Sequence, residues 1–521
     1  MIRLPRAVAL SALFILAPAL AENVPVRILA LNDFHGHVQA DRTVTVNGLK
    51  QPAGGAAWIA SLVRRERAQR PNALLVEAGD MAGGSPPISA LFQDEPTVEF
   101  LNLSGCDVGT LGNHELDEGM PEALRLWKGG VHRSSRYYPK PFPGAKFPII
   151  CSNLVDARSG RTFFPPYVVK KVSGVKIAFI GAVTEELPNA VAAKSMQGIR
   201  ELKPAFAINR SVKELQKWGV HAFVVLVHEG GNQERGGALT GAIVDLVKAL
   251  DKDVDVVVSA HSHQFTNARI GRVLVTQARW AGTSIARIDL TVDRGSDDIV
   301  SKSADILDVL HTNLPPDKAV EAMVAGYDKL AGPRINKVVG ETAALAKQPG
   351  RDESGLGNLI ADAQREAVGA DIAFMNPGGI RADLPEGTVT WGQAYAVQPF
   401  GNQVVTLNLT GAQVRAVLEQ QWRPDGNTML PVSGITYTYD PAAEIGHRVT
   451  TITGPDGKPL DDAANYTVAM NSFLAGGGDG FTALKDIAAK PGPNDLDALL
   501  AYIAAHPRIA PSLGRAQPVS R

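Results

Sequence analysis

Five apolar runs in the first 265 residues each end in a short cluster of aspartate, asparagine and histidine. These residue types hold divalent cations through oxygen and imidazole nitrogen. The clusters are VRILALNDFHGH with Asp33 and His35, ALLVEAGD with Asp80, DVGTLGNHELD with Asn113 and His114, AFVVLVHEG with His228, and DVVVSAHSH with His261 and His263. Buried strands read as apolar runs, and open α/β sheets gather ligands at the carboxyl ends of their strands. Each cluster falls where such a run stops. A D-x-H pair or a lone histidine at a strand end is common by chance, but five in series point to a two-metal hydrolase. Two cations about 3.5–4 Å apart clamp an in-line displacement at phosphorus and generate hydroxide from bound water near neutral pH.

Asp33 and His35 are two residues apart, so a strand persisting through them sends both side chains to one face. Asp80 has Gly79, Gly83 and Gly84 nearby, which leaves its carboxylate free to bridge two cations. Asn113 offers a neutral carbonyl oxygen, and His228, His261 and His263 offer imidazoles. Such ligation without thiolate suits zinc, manganese or iron and does not choose among them. His114 and Asp117 stand three apart, where a carboxylate on a helical turn reaches the imidazole. Fixing the tautomer makes the histidine a directed donor to developing charge or to a leaving oxygen. His37 and Glu229 lie beside the clusters without sharing their pattern and read as loop residues.

The elements that must position these groups follow from periodicity. Between residues 26 and 300, strand-like runs alternate with amphipathic stretches such as AAWIASLVRRERAQ and INRSVKELQKWG, which predicts a layered α/β domain. The Pro- and Gly-rich residues 138–148 predict a surface loop, and the polar turn at 295–298 closes IARIDLTVD as the last strand. Residues 315–330 have helical spacing and meet Gly332-Pro333, which predicts a linker helix ending there. The second half has its own order: helix LGNLIADAQREAVG, strand ADIAFMN, a helix around WGQAYAVQ, strand NQVVTLNL, helix GAQVRAVLEQQW, then strands GITYTYD, RVTTITG and YTVAMN. At 521 residues two domains are the natural division, over 22–312 and 335–521 with 313–334 between them.

A net charge of −1, a pI near 6.8 and 45% hydrophobic residues describe a soluble globular protein without a polybasic face. That argues against binding long nucleic acid by its backbone. Residues 1–21 differ in kind: Arg3 and Arg6 precede an apolar run, and Ala19-Leu20-Ala21 fits a small-x-small cleavage site. The reading is a secretory signal rather than an anchor, because the apolar core falls short of the roughly 20 residues a span needs. No later segment is long and apolar enough to cross a bilayer. Secretion permits Cys106 and Cys151 to pair, but small buried free thiols are the commoner reading.

In the second half, Phe400 and Phe473 stand among glycine and polar residues, where two rings can sandwich a flat base at roughly 1–3 kcal/mol per base. Arg381 offers a guanidinium fork to phosphate or carboxylate, and Asp479 among its glycines can accept from ribose hydroxyls.

Taken in order, NDFHGH, GD, GNHELD, VHEG and HSH resemble the calcineurin-like metallophosphoesterases. With GLGNLIADA, MNPGGIRADL, QPFGNQ and NSFLAGGGDGF, nearly the whole chain resembles the secreted 5'-nucleotidase and UDP-sugar hydrolase family. The resemblance implies an αββα metallophosphoesterase domain followed by a smaller α+β nucleotide-binding domain, closing on each other across a hinge in residues 315–333. It implies two divalent ions, the first held by Asp33, His35, Asp80 and His263 and the second by Asp80, Asn113, His228 and His261. His114 and Asp117 match the catalytic dyad, and several members carry Gln or Asn at the place of His263. Asn376, Arg381, Phe400, Asn402, Phe473 and Asp479 fall on substrate-binding positions. Arg351 falls on another, though the run R-D-E-S-G-L-G-N is one residue shorter than in some relatives. The implied enzyme is secreted to the periplasm and removes the 5'-phosphate from nucleoside monophosphates. The same metals would also serve UDP-sugar hydrolysis or combined 2',3'-cyclic phosphodiesterase and 3'-nucleotidase action. A nucleotide-binding protein that has lost catalysis is a further alternative, which the gap-free ligand set opposes.

Overall fold

The apolar runs become strands because their side chains have no polar face to turn to water: Phe223–His228 and Val254–Val258 are buried along their whole length. The computed structural model describes residues 23–132, 141–234, 237–350, 352–423, 426–427 and 429–519. The expected signal segment and Arg351 lie outside the described residues. Val24–Leu31 pairs in parallel with Ala73–Glu77 and antiparallel with Ser284–Val292, which takes Ile299–Asp308 as its outer neighbour. A second sheet orders its strands Thr266–Ile270, Val273–Gln277, Val254–Val258, Phe223–His228, Val175–Val183 and Tyr167–Val172. Its four central strands are parallel.

Val26, Ile28 and Ala30 of the first sheet share one core with Phe179, Val224, Leu226 and Val258 of the second. The outer face of the first sheet is covered by helices that include Ala56–Gln69, Glu95–Leu103 and Met120–Lys128. Pro204–Gln216 and Ala242–Ala249 cover that of the second. Two sheets whose interior strands have no wettable face require this αββα layering. Each fully buried Val, Leu, Ile or Phe contributes about 1.5–3 kcal/mol.

Two elements differ from the sequence reading. The turn at 295–298 does not end the sheet but makes a hairpin, with Asp293 accepting from the backbone N–H groups of Gly295 and Ser296. The added strand, Ile299–Asp308, is an edge with few buried residues and so lacks an apolar run. The helix Lys318–Ile335 does not stop at Gly332-Pro333. In a final turn Pro333 removes one intrahelical bond where the helix is about to end. Packing against Ala56–Gln69, Glu95–Leu103 and Trp391–Val397 holds the helix in place, and Arg334 lies over the Trp391 ring at 4.2 Å.

The following half is built on a five-stranded sheet ordered Val432–Ser433, Ile372–Phe374, Asn465–Asn471, Gln403–Thr410 and Ala489–Asn494. Helices Gly355–Val368 and Asp495–Ala505 cover one face and Gly411–Glu419 the other. Thr390 and Thr410 open their helices with capping boxes closed by Gln393 and Gln413. Cys106 and Cys151 are both buried and free.

Glu201, at the end of the short strand Ile199–Glu201, keeps one buried carboxyl oxygen without a partner among the described residues. Burial, with the charges of Glu185 and Glu229, pushes it up to about 8. The fold therefore holds this proton more tightly than the unfolded chain, and stability drains away as pH rises from the ordinary 4.5 to about 8. Thermal melts should show Glu201→Gln matching the parent near pH 5 and exceeding it in Tm near pH 9. Equal Tm at the higher pH would contradict this account.

Candidate functional site

The five clusters meet at the carboxyl ends of the parallel strands. Asp33 and His35 converge there, but not because their strand continues: it ends at Leu31, and both residues adopt left-handed backbone with φ of 47°. Asp80, His261 and His263 do the same, with φ of 51°, 72° and 56°. Such conformations cost about 1–3 kcal/mol each outside glycine and gather at functional sites, where surrounding structure enforces them. Asn32 helps to enforce Asp33, donating from Nδ2 to its carboxylate at 2.7 Å and to the Ala278 carbonyl at 3.0 Å.

Asp80 Oδ2 lies 3.0 Å from His228 Nε2 and 3.7 Å from His35 Nε2, so one carboxylate stands between two histidines. His263 Nε2 is 3.1 Å from His35 Nε2 and 3.6 Å from Asp33 Oδ1. The donor atoms of Asp33, His35 and His263 lie within 4.8 Å of one another, as do those of Asp80, His228 and His261. His35 Nδ1 donates to the Gly83 carbonyl at 2.9 Å and His228 Nδ1 to that of Ala78 at 3.0 Å. A carbonyl only accepts, so in the neutral rings each Nε2 is left as a lone pair aimed inward. Burial holds His35, His261 and His263 low, His261 at about 4. Burial opposes charge on His228 as well, yet Asp80 and Asp33 outweigh it and lift this ring to about 10. Asn113 Oδ1 is buried with no hydrogen-bond partner among the described residues. This orphaned amide oxygen, the facing imidazoles and two carboxylates fit a pair of divalent cations.

Glu115 was not singled out by its spacing, although it lies inside GNHELD. Its carboxylate accepts four backbone N–H groups: Asp80 at 3.0 Å, Met81 at 2.9 Å, Ala82 at 3.0 Å and Gly112 at 2.6 Å. It ties the Asp80 loop to the loop that carries Asn113. The two approach so closely that a methyl at Gly79 would strike the Gly112 backbone and one at Gly112 the Asp80 carboxylate. His37 and Glu229 lie in loops as expected, and both are buried there. His37 packs edge-on to Trp280, whose ring in turn stacks on His263 at 5.1 Å and 3°. Glu229 accepts from Thr184 Oγ1 and Gly230 N at 3.0 Å each.

His114 begins the turn His114–Leu116, and its Nδ1 faces Asp117 Oδ2 at 3.0 Å. Burial disfavours charge on this ring, but Asp117 and Asp80 prevail and raise it above its ordinary value. Phe400, from the second half of the chain, stacks on it at 5.5 Å and 15°.

From this point a cavity of about 720 Å³ opens, lined by Asn113, His114, Asp117 and His261 and by Asn376, Arg381, Phe400, Asn402, Phe473 and Asp479. The structure thus brings every described residue of the expected substrate set to one space with the dyad. Gly350, the neighbour of Arg351, lines it too. Each ring is backed on one side: His114 packs against Phe400, and Gly478 lies so close to Phe473 that a methyl there would collide with the ring. Arg381 has its guanidinium 5.8 Å from the Phe400 centroid and leaves Nη2 buried without a partner among the described residues. Asp479, with φ of 51°, accepts from Asn376 Nδ2 at 2.8 Å. A wall carrying Glu186, Asn189 and Lys194 completes the cavity. No motif marked these residues.

Residues 26–265 match the family model for calcineurin-like phosphoesterases, and residues 338–486 match that for the 5'-nucleotidase C-terminal domain. Endonuclease YhcR of Bacillus subtilis is 38% identical over 92% of this chain, which spans 40% of that protein's length. Cell wall protein Lmo0130 of Listeria monocytogenes is 36% identical over 90% of the chain, which spans 65% of it. A solved 5'-nucleotidase precursor from Thermus thermophilus superposes with a TM-score of 0.82 at 27% identity, covering 96% of this chain and 100% of that one. With both halves matched in this order, the chain belongs to the calcineurin-like phosphoesterases that carry a 5'-nucleotidase C-terminal domain.

Proposed function

We propose that this phosphoesterase removes the 5'-phosphate from nucleoside monophosphates and acts outside the cytoplasm, in the periplasm. One observation carries the reading: a single cavity joins the strand-end cluster to a pair of backed aromatic rings on the other domain. Asp33, His35, Asp80 and His263 would hold one divalent cation and Asp80, Asn113, His228 and His261 the other. When bound there, such a pair would lower the pKa of water toward neutrality and offset charge on the phosphoryl group. His114, oriented by Asp117, donates from Nε2 to the phosphoryl group or the departing O5' as charge builds there. Phe400 and Phe473 hold the base, Asp479 accepts from the ribose hydroxyls, and Asn376 fixes the Asp479 carboxylate. Arg381 brings its guanidinium toward the phosphate. Export rests on the leader read from residues 1–21, and no helix among the described residues is long and apolar enough to cross a membrane.

A broader reading, reaching UDP-sugars and phosphodiesters, uses the same residues and is favoured by the 38% identity to a protein named an endonuclease. A substrate panel separates the two. With manganese or zinc restored to chelated enzyme, AMP and GMP should turn over with kcat/KM well above that of UDP-glucose, 2',3'-cyclic AMP and bis(p-nitrophenyl) phosphate. Inert monophosphates beside an active diester would overturn the first reading.

A further inference from the structure

Two stacked rings hold any base, because every base has a π face. Choice among bases requires polar groups at the ring edge. On the C-terminal side Asn376 is already committed, donating to Asp479 at 2.8 Å while its own Oδ1 accepts from Asn471 at 2.7 Å, and Arg381 is turned to the phosphate. The opposite wall is different. It follows the strand Val175–Val183 and lines the cavity with Glu186, Asn189 and Lys194. The helical turn Leu187–Ala190, which bears Asn189, packs against the turn Gly478–Gly480, which bears Asp479, so this wall stands beside the aromatic bracket. All three side chains are exposed, and among the described residues none has a hydrogen bond or ion pair. The adjacent Glu185, by contrast, is tied to Lys203 at 3.4 Å.

Resting on the 5'-nucleotidase reading above, we propose that Glu186, Asn189 and Lys194 read the base edge and make guanine nucleotides the preferred substrates. An anionic acceptor, an amide with both functions and a cationic donor match the guanine edge: N1–H and the exocyclic amine donate to Glu186, O6 accepts from Lys194, and N7 accepts from the Asn189 amide. Adenine inverts two of these. Its exocyclic amine meets the Lys194 ammonium, and its unprotonated N1 meets the Glu186 carboxylate, so donor faces donor and acceptor faces acceptor. Selection is then made by the phosphoesterase domain on a base held by its partner domain.

The test measures kcat/KM for GMP and AMP on the metal-loaded full chain and on Glu186→Gln and Lys194→Met. p-Nitrophenyl phosphate, which has no base edge, reports the folding and metal loading of each variant. The parent should favour GMP by roughly tenfold or more, the discrimination expected of a bidentate edge contact. Each variant should move the ratio toward one, chiefly by raising KM for GMP. Equal kcat/KM for the two nucleotides, or a preference untouched by both variants, would overturn the proposal. If p-nitrophenyl phosphate is hydrolysed and no 5'-monophosphate is, the reading on which the proposal rests fails, and the proposal with it.

Discussion

Replacing His114 with alanine is expected to lower kcat for a nucleoside 5'-monophosphate by about 10²- to 10⁴-fold and to leave the metal content of the enzyme unchanged. The two halves of this expectation separate a proton donor from a ligand. His35, Asp80 and His114 also place donor atoms within 4.8 Å of one another, so a third ligand role is geometrically available. Two observations favour the donor. Asp117 and Asp80 raise the affinity of the ring for a proton against burial, so with Nδ1 donating to Asp117 at 3.0 Å the charged ring presents an N–H at Nε2. The ring also faces the domain that would bring substrate, with Phe400 stacked on it. Metal analysis of the purified variant decides the matter. Loss of an equivalent of metal alongside activity would make His114 a ligand, and unaltered kcat would remove it from the chemistry.

What could be read before folding was whatever burial writes into adjacent residues. The interior strands had to be apolar and had to stop at polar groups, so the clusters at Asp33, Asp80, Asn113, His228 and His261 were visible, and AAWIASLVRRERAQ gave the helix Ala56–Gln69 with its bounds. Edge strands escaped because one side of each is wet: Ile299–Asp308 is mostly exposed or half-buried, and Ala489–Asn494 reads AKPGPN. Gly332-Pro333 has the form of a helix stop, but tertiary packing, invisible in sequence, holds the helix through it to Ile335. The conformations at Asp33 and His35 escaped for a related reason. Left-handed backbone at Asp and His is enforced from outside the segment. The wall at Glu186 and Lys194 belongs to the cavity only through the packing of Leu187–Ala190 on Gly478–Gly480, a contact between distant parts of the chain. Glu115 sits inside a motif that was read, yet nothing in its neighbours says that it turns inward to backbone.

That inward turn makes Glu115→Gln the other change expected to have a large effect, although Glu115 is a positioning residue remote from substrate. Four N–H groups converge on its two oxygens at 2.6–3.0 Å. An amide has a single acceptor oxygen. Whichever way it turns, either the Asp80 and Gly112 pair or the Met81 and Ala82 pair meets an NH₂ group instead of an oxygen. A buried donor left unsatisfied costs about 1–3 kcal/mol, so the pair costs about 2–6 kcal/mol, a large part of a typical stability of about 5–15 kcal/mol. The strain falls on the loop that holds Asp80 at φ of 51° between His35 and His228. Once that backbone relaxes, the carboxylate shared by both proposed cation sites is no longer fixed. The variant should therefore lose metal to a chelator at a roughly 10- to 100-fold lower chelator concentration, the scale on which outer partners of ligands act. Excess metal should recover part of its kcat, with KM little changed. A purely structural role predicts something else: a lower Tm in the metal-free and metal-loaded proteins alike, with retention of metal equal to the parent below the melt. Glu115→Asp sharpens the comparison, since it keeps two acceptor oxygens on a shorter stem. If positioning is the role, it should hold metal better than the glutamine variant despite fitting the space less well.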